Sequence, residues 1–471
     1  MIDGDYDAAL DTADRLARAW LGGLAERRVG PATSADEIHE LIDGPVPDDP
    51  TDPSAVLEEL AGAIDAGLAA TGSGRYYGFV NGGTLPAALG ADWLVSTWDQ
   101  NTPFAGPYPG AAAFEEVAGR WVRELLELPD RAAVGFTTGA QMANTTCLAA
   151  ARHRVLAAHD HDVEHLGLAG APAVQVMVGT ERHSTIDRSL RLIGLGRAAT
   201  RLVPADGEGR MIAGALEEAL AGSDQPTIVC AQAGNVNGGA FDPLAEIVAV
   251  VEARRAERPV NDIWVHVDGA FGIWVRVSPS HRDLVRGVEG ADSWATDAHK
   301  WLNTPYDCGL AIVADPASLR RSMALRADYL PSEEAVVGDP SDRSPESSRR
   351  ARALVVWAAL RSLGRTGLAD VVDRCCDRAA EFADQLAAVE GVEVLHHEIN
   401  QLVVGFADPD GLDDDGHTDR VLQHIQRDGT CFMTGTRWHE QAAVRISVSN
   451  WRTDPADVQR SVAAIAAAHG R

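Results

Sequence analysis

The sequence predicts an α/β protein with a mainly parallel central sheet, followed by a small α+β domain at its C-terminal end. From Ala132 onward, short apolar strands alternate with segments of helical periodicity, which is the order of a sheet built from β-α-β units. Most of these strands lack apolar–polar alternation, as expected for strands covered on both faces. After about residue 315 the order changes, and helices are followed by paired strands.

The predicted elements fall into three stretches along the chain. The first contains helices at 5–28, 54–70, 84–100 and 111–127. The second has strands at 132–137, 173–179, 200–204, 226–233, 263–268, 292–297 and 308–314, with helices near 140–158, 184–194, 210–222 and 243–257. The third has helices at 347–364, 366–389, 416–427 and 454–468, and strands at 392–398, 401–407, 431–437 and 443–449.

Four segments follow from this order. Residues 1–110 form a helical N-terminal segment that contains a glycine- and aromatic-rich loop at 72–83, suited either to contact a substrate or to form a plain turn. Residues 111–327 form a large α/β domain. Residues 328–348 are rich in Pro, Ser, Asp and Glu, which is typical of a mobile loop. Residues 349–471 form the small α+β domain.

Composition excludes several classes of partner. The net charge is −28, with 69 acidic and 41 basic residues, so nucleic acid and anionic membranes are unsuitable partners. No run of about 18 apolar residues occurs, and the acidic N-terminus lacks the order of a signal peptide. The six cysteines lack the spacing of a zinc or redox site. We therefore expect a cytoplasmic protein with no metal site.

A lysine that follows a strand is the first candidate for chemistry. The segment 293–297 resembles a short strand, and it is followed by Ala298, His299 and Lys300. An unprotonated lysine in a desolvated pocket attacks carbonyls and forms a Schiff base. An isolated His-Lys pair is more often an exposed surface feature, so the interpretation depends on the residues upstream.

Asp268 closes an apolar strand, 263–268, and is the second candidate. A buried carboxylate is unfavourable by several kcal/mol unless a cation faces it. Asp268 precedes Lys300 by 32 positions, which is enough chain to bring both residues to neighbouring strand ends. Because ligands bind at the carboxyl ends of such strands, the pair predicts a site there with a cationic ligand.

Three further segments end predicted strands. Segment 135–144 runs from a strand into a helix through small residues, and its backbone N–H groups favour a phosphate. His183 precedes a helix capped by Ser184 and is suited to stack on a flat ligand, although it is equally typical of a capping loop. Asn235 and Asn237 lie among glycines, where they suit either a ligand's oxygen atoms or a plain turn.

Together these stretches resemble the pyridoxal-phosphate-dependent group II amino-acid decarboxylases, which include aromatic-amino-acid, tyrosine, histidine, glutamate and diaminobutyrate decarboxylases. The resemblance covers roughly residues 70–455. Segment 266–272 is similar to the family's motif of an Asp followed by two small residues and an aromatic. Segment 298–301 is similar to its Pro-His-Lys motif, with alanine in place of proline, and segments 234–243 and 349–357 also resemble the family.

The resemblance implies a fold type I, aspartate-aminotransferase-like architecture and a lyase of amino-acid metabolism. It implies pyridoxal 5'-phosphate as cofactor, a small amino-acid substrate, and a homodimer with the active site at the subunit interface. Lys300 would hold the cofactor as a Schiff base, Asp268 would pair with the ring nitrogen, and His183 would stack on the ring. The remaining cofactor-binding residues, for the phosphate, the ring and the nearby loop, would be Ala140, Gln141, Asn237, Ala270, Asp297 and His299.

The sequence departs from the family in the mobile loop. Many relatives carry an aromatic residue there, often Tyr, that helps to protonate the carbanion, whereas this chain has Arg343, with Tyr329 upstream. Alternative chemistries on the same fold therefore stay open: aldehyde synthesis, carbon–carbon lyase action, transamination, or cofactor binding without turnover.

The sequence leaves the substrate side chain open as well. An aromatic-lined pocket could form from Tyr76, Tyr77, Phe79 and Trp98. Alternatively, Arg75 or Arg343 could bind an acidic side chain.

Overall fold

The computed structural model describes residues 6–324 and 339–470. The first stretch is helical. It contains α1 (Tyr6–Gly23), α2 (Ala35–Ile42), α3 (Pro53–Ile64), α4 (Pro86–Trp98) and α5 (Pro109–Leu126). Helix α2 was not predicted from the sequence. Its start is nevertheless encoded locally, because Ser34 and Glu37 form a reciprocal capping box.

The second stretch alternates strands and helices as predicted. It contains β1 (Ala133–Thr137), α6 (Ala140–Ala157), α7 (Val163–Leu166), β2 (Gln175–Gly179), α8 (Ser184–Leu192), β3 (Thr200–Val203), α9 (Ala213–Ala221), β4 (Thr227–Gln232), α10 (Leu244–Glu257), β5 (Ile263–Asp268), β6 (Ser293–Asp297), β7 (Gly309–Val313) and α11 (Pro316–Met323). All seven predicted strands are present, with boundaries within two residues of those expected. The short helices α7 and α11 were missed.

The third stretch also follows the predicted order. It contains α12 (Arg352–Ala387), β8 (Val392–Glu398), β9 (Gln401–Phe406), α13 (Asp414–Asp428), β10 (Thr434–Trp438), β11 (Gln441–Ser447) and α14 (Pro455–His469). The two helices predicted at 347–364 and 366–389 are both present within α12, where they meet at a kink. The kink lies at Gly364, whose φ of 62° and ψ of −177° are not helical.

The seven strands of the second stretch form one sheet in the order β1-β7-β6-β5-β4-β2-β3. Strands β3, β2, β4, β5 and β6 run parallel, and β7 runs antiparallel to both of its neighbours. The interior strands are buried along nearly their whole length, which explains their continuous apolar sequences. The carboxyl ends of β2, β4, β5 and β6 therefore meet at one edge of the sheet.

The chain separates into two compact units. One comprises residues 84–377 and 396–402 and contains the seven-stranded sheet. The other comprises residues 1–83, 378–395 and 403–471. A four-stranded sheet in the order β10-β11-β9-β8 lies in the C-terminal part of the chain. The four-segment division predicted from the sequence stays a prediction.

Part of the predicted mobile loop, 328–348, lies outside the described residues, and so does Tyr329. Residues 339–348 are described and include a short 3₁₀ turn at Pro340–Asp342. In the described part of the chain, no helix combines the length and the apolar character needed to cross a bilayer.

Candidate active site

The ends of β5 and β6 place two carboxylates side by side in the sheet. Asp268 is the last residue of β5 and pairs in register with Ala295 of β6. Asp297 closes β6 two residues later. Both side chains are buried, although aspartate is almost never fully buried in proteins unless it is paired.

Asp268 is the more unusual of the two carboxylates. Burial raises the pKa of its carboxyl, and electrostatic interaction with His183 and Lys300 is the largest influence that lowers it. Its nearest backbone donor is the Ala270 N–H, 3.3 Å from Oδ1. A cationic ligand group facing this carboxylate would remove the unfavourable free energy of its burial.

His183 and Asp268 line the same small cavity at the carboxyl edge of β2, β4 and β5. The sequence assigned the cap of α8 to Ser184, and this is corrected by the structure. His183 is the N-cap residue, and its Nδ1 accepts the backbone N–H of Thr185 at 3.3 Å. The Thr185 hydroxyl lies 2.7 Å from the same nitrogen, so Nδ1 is the acceptor and Nε2 carries the hydrogen. The cap therefore fixes the orientation of the ring.

Lys300 follows β6 in a short turn. Its Nζ lies 3.1 Å from Oδ2 of Asp297 and 5.9 Å from the centre of the Phe271 ring. One-fifth of the side chain is exposed, so the amine is partly shielded but reachable.

The composition adds a signal that the motif analysis overlooked: Lys300 is the only lysine in the 471-residue chain, against 40 arginines. Arginine serves as the surface cation elsewhere in the chain but cannot form a Schiff base, so a lysine at this position is suited to a role that needs a primary amine.

The predicted phosphate cradle lies at the start of α6. The Ala140 N–H donates to Oδ1 of Asp297 at 2.5 Å, so an oxyanion already occupies this helix terminus. A Cβ added to Gly139 would lie at an ordinary contact distance, 3.5 Å, from both Oδ1 of Asp297 and Cε1 of His299, so these two side chains border the space beside Gly139. A phosphate could take the Ala140 N–H only if the Asp297 side chain turned away.

His299 forms one wall of this space. Its Nδ1 accepts the Cys308 N–H at 3.2 Å, and its ring stacks on Tyr306 with centroids 4.2 Å apart. Its Nε2 lies 3.5 Å from Asp297. Burial lowers the pKa of the His299 imidazole, and Asp297 opposes this effect.

The other predicted binding residues have clear structural partners. Gln141 accepts a hydrogen bond from Arg188 through Oε1 at 3.1 Å. The Asn235 side chain is used internally, because its Oδ1 accepts the N–H of Asn237 and its Nδ2 donates to the carbonyl of Glu181. The carbonyl of Ala270 accepts the Asp297 N–H and so joins the two strand ends.

The aromatic pocket considered for the substrate is not formed by Tyr76 and Tyr77. Tyr77 is buried, with its hydroxyl 3.2 Å from that of Ser461, and Tyr76 stacks on Phe432. Phe79 is exposed. These tyrosines are core residues of their unit rather than a binding surface.

The two arginines considered for an acidic side chain are also engaged. Arg75 is buried, and its guanidinium donates to the backbone carbonyls of Ala25, Arg27 and Thr430. Arg343 pairs with Glu116 at 3.1 Å. Neither guanidinium is available to a substrate in this arrangement.

One group of potential metal ligands occurs in the described part of the chain, formed by Glu208, His396 and Glu398. Arg210 contacts both carboxylates, at 3.1 and 3.0 Å. The guanidinium offsets one of the two negative charges and bridges both carboxylates, so Arg210 is part of this cluster.

The family is established by comparison with known proteins. A model of the pyridoxal-dependent decarboxylase conserved domain matches residues 36–407, and the chain belongs to this family. The family, the pyridoxal cofactor and the α/β fold class expected from the sequence are confirmed.

Curated relatives carry several decarboxylase names. The chain is 31% identical to an acidic amino acid decarboxylase of Mus musculus over 268 residues, which are 55% of this chain and 47% of the relative. It is 32% identical to L-2,4-diaminobutyrate decarboxylase of Rhizobium meliloti over 345 residues, 71% of this chain and 66% of the relative. An aromatic-L-amino-acid decarboxylase of Bacillus atrophaeus is 25% identical over 91% of this chain and 88% of its own. The chain thus spans about half of the first relative and two-thirds or less of the second.

Solved structures share the fold over the whole chain. Oryza sativa TDC with PLP and tryptamine has a TM-score of 0.90 at 21% identity, covering 100% of this chain and 98% of that one. Rhodiola rosea 4-hydroxyphenylacetaldehyde synthase has a TM-score of 0.87 at 20% identity, covering 99% and 98%.

Proposed function

We propose that this protein decarboxylates an L-amino acid to the corresponding amine and CO₂, with pyridoxal 5'-phosphate as its cofactor. The observation that carries the proposal is the single lysine of the chain, which lies beside Asp297 at the strand edge where Asp268 and His183 line a common cavity. The bond from the α-carbon to the carboxylate breaks, CO₂ leaves, and one proton is added to the same carbon. The bound cofactor supplies an electron sink for the pair left on that carbon.

The residues present fit this cofactor. Lys300 would hold it covalently through Nζ, and Asp268 would face the ring nitrogen, which supplies the cation that the buried carboxylate requires. His183, fixed by its cap, would lie against the ring face, and Ala270 would pack on the opposite side.

The phosphate would lie at the start of α6, between Gly139 and His299. The proposed contacts there and in the neighbouring loop are Ala140, Gln141, Asn237, Asp297 and His299. Asp297 competes with the phosphate for the Ala140 N–H, so its side chain must release that N–H when the phosphate enters and keep only its contact with Lys300.

The substrate is proposed at the level of α-amino acids. The relatives are named for acidic, diamino and aromatic substrates, which differ in every property of the side chain. Arg75 and Arg343 are engaged elsewhere, so an acidic side chain would need another partner.

We further propose a homodimer in the cytoplasm. Helix α4 exposes the three large apolar side chains Trp93, Leu94 and Trp98, which is unusual for a chain of high net charge. A second copy of the chain is the proposed occupant. The six cysteines are free and buried, which supports a reducing compartment.

Covalent trapping tests the proposed role of Lys300. Apoprotein incubated with pyridoxal 5'-phosphate and reduced with borohydride is expected to gain one cofactor mass, mapped to the peptide containing Lys300. The variants Lys300→Ala and Lys300→Arg should both lack this adduct and its visible absorbance band, because neither side chain forms a Schiff base. An adduct confined to the terminal amine, or a band that persists in both variants, would contradict the assignment.

Product analysis tests the reaction itself. Decarboxylation yields amine and CO₂ in equal amounts without ammonia, so the three products are measured for each common amino acid. Release of ammonia with an aldehyde would instead identify oxidative chemistry on the same carbon. Cofactor binding without any product would contradict an enzymatic role.

A further inference from the structure

A continuous chain of buried hydrogen bonds lies behind Asp268. The indole Nε1–H of Trp264 donates to Oγ of Ser293 at 2.8 Å. The same Oγ lies 2.9 Å from Nδ1 of His266, and Nε2 of that ring lies 2.8 Å from Oδ1 of Asn144. The three polar residues Ser293, His266 and Asn144 are fully buried.

The donor and acceptor properties of these groups favour the same donor-to-acceptor direction in all three hydrogen bonds, from Trp264 toward Asn144. An indole N–H only donates, so Oγ of Ser293 is an acceptor there and its own hydrogen is available to Nδ1 of His266. With Nδ1 accepting, Nε2 carries the ring hydrogen and donates to the Asn144 oxygen. Burial lowers the pKa of His266 to about 3, so the ring is neutral and has one hydrogen to place.

The series of hydrogen bonds ends at the Asn144 amide, which has a donor left over. The Nδ2 group of Asn144 is buried and makes no hydrogen bond of normal geometry with a described residue. Burial is the main influence on the pKa of Asp268 and raises it, whereas the Asn144 side chain is among the groups that lower it. Asn144 contacts His266 through Oδ1, and Asp268 lies two residues beyond His266 on the same face of β5, so the unused amide N–H is on the side of the Asp268 carboxylate.

The elements explain why these residues meet. His266 and Asp268 are two positions apart on β5 and lie on the same face of the strand. Asn144 is one turn into α6, the helix that packs against β5 and β6. Ser293 pairs in register with His266 across β5 and β6.

We propose that Trp264, Ser293, His266 and Asn144 form a positioning relay that delivers an amide N–H to Asp268 and holds its carboxylate toward the ring nitrogen of the cofactor. The inference rests on the proposed function, because it assigns Asp268 to that nitrogen. Asn144 and His266 are positioning residues, since they act on the cofactor through Asp268.

Cofactor affinity of the apoprotein is the measurement that tests the relay. The Asn144→Leu variant keeps the volume of the side chain and removes the amide. The dissociation constant for pyridoxal 5'-phosphate is expected to rise by about ten-fold, which is typical for loss of a hydrogen bond to a charged group. With the loaded protein, kcat should fall by a similar factor while the KM for the amino acid stays within two-fold, because the substrate does not touch the relay.

Two variants separate the relay from ordinary packing. Thr146→Val is the matched control, since Thr146 is equally buried on α6 and its hydroxyl bonds the Met142 carbonyl; its cofactor affinity should equal that of the wild type. Ser293→Ala should weaken binding by about three-fold. The double variant Asn144→Leu with Ser293→Ala should bind pyridoxal 5'-phosphate no more weakly than Asn144→Leu alone, because both changes interrupt the same series of hydrogen bonds.

The outcomes distinguish the relay from the proposed function. In the reference variant Asp268→Asn, unchanged affinity and activity would reject the role of Asp268 and the relay with it. A severe loss in Asp268→Asn with wild-type affinity in Asn144→Leu would reject the relay alone. Additive losses in the double variant would do the same. If Asn144→Leu does not fold, Ser293→Ala decides, and wild-type affinity in that variant overturns the relay.

Discussion

At the level of single residues, the site is organised around two carboxylates that have different partners. Asp297 already has a cation and a helix N–H, from Lys300 and Ala140. Asp268 has a weak backbone contact and an amide that faces it, and burial raises its pKa. Because the two environments differ, Asp268 is suited to a ligand cation and Asp297 to the fixed charges of the protein.

Replacement of Asp268 by Asn removes the charge opposite the proposed ring nitrogen and keeps the shape of the side chain. Turnover is expected to fall by two or more orders of magnitude, since a buried ion pair contributes about 3 kcal/mol or more when one partner is lost. Steady-state assays with the substrate identified by product analysis measure this loss. Activity within a few-fold of wild type would show that the carboxylate does not act on the ring.

The buried His266 makes the protein sensitive to acid. Its pKa is about 3 in the folded state, below the ordinary value of 6.5, so between these values the unfolded chain binds a proton that the folded chain does not. The contribution of His266 to the free energy of unfolding is therefore fully present above pH 6.5, and it is lost as the pH falls toward 3. Between pH 6.5 and pH 5 the loss is roughly 2 kcal/mol.

Denaturant unfolding at pH 7 and pH 5 measures this contribution. The wild type should lose more free energy of unfolding between the two values than His266→Gln, and the difference should be roughly 2 kcal/mol. Other titrating groups are common to both proteins and cancel in the comparison. Equal losses in the two proteins would mean that His266 takes up its proton in the folded state.

The positions of the candidate site residues were predictable where they follow strands, and were not predictable where they depend on contacts between elements. The roles of these residues stay predictions. Lys300, Asp268 and His183 end strands or begin helices, and chain order alone brought them to one edge of the sheet. Asn144 and His266 were quoted within motifs without a role, because their significance depends on a contact between a helix and a strand. The period of two that places His266 on the face of Asp268 was the available signal.

At the level of elements, helix α12 shows how one residue shapes a long segment. Gly364 adopts φ 62° and ψ −177° inside the helix, a conformation that is essentially restricted to glycine. A Cβ at this position would meet nothing within 4 Å, so the restriction comes from the backbone alone. Two helices were predicted on either side of this point, and the kink separates them.

Substitution of Gly364 by Ala is expected to lower the free energy of unfolding by about 1–3 kcal/mol, through backbone strain. Gly367→Ala is the matched control, because its Cβ would meet Leu363 at an ordinary distance of 3.4 Å. Replacing glycine by alanine in a helix interior, as in Gly367→Ala, raises the free energy of unfolding by about 0.5–1 kcal/mol. Thermal and denaturant unfolding measure the change in the free energy of unfolding for both variants. The two changes should have opposite signs if Gly364 is required by its backbone conformation. Equal signs would contradict this.

Strands were easier to predict than short helices for a physical reason. The interior strands are continuous apolar runs with turn residues at both ends. Because these strands are buried on both faces, their apolar sequences are easy to recognise. Helices α2, α7 and α11 contain eight residues or fewer and depend on caps such as Ser34, Asp162 and Asp315. Too few turns are present for a helical period to stand out.

At the level of the whole molecule, the net charge of −28 acts against association of two copies. Salt screens this repulsion over roughly 10 Å at 0.1 M ionic strength. The proposed dimer should therefore become tighter as salt is raised, because apolar side chains on α4 provide the attraction.

Sedimentation at several protein and salt concentrations tests the dimer. The wild type should shift from monomer toward dimer as ionic strength increases. Trp98→Glu adds a charge to the exposed face of α4 and should weaken the dimer at every salt concentration, whereas a substitution at exposed Leu412, far along the chain, should not. A monomer under all conditions would contradict the proposal.

The general architecture was readable from the sequence, but the composition of the compact units was not. Alternating strands and helices fixed the large sheet, and the change of order after residue 315 indicated a second type of architecture. The unit that contains residues 1–83 also contains residues 403–471, and sequence order gives no signal that joins segments so far apart.

The single lysine beside Asp297 also determines how this protein can be handled. Amine-directed reagents used for labelling, crosslinking or attachment to a support can react with Lys300 and with the terminal amine. Lys300 is partly shielded, so gentle conjugation will modify the chain terminus, while forcing conditions will consume the one amine on which the proposed chemistry depends. Attachment through carboxylates, which the surface offers in abundance, avoids that loss.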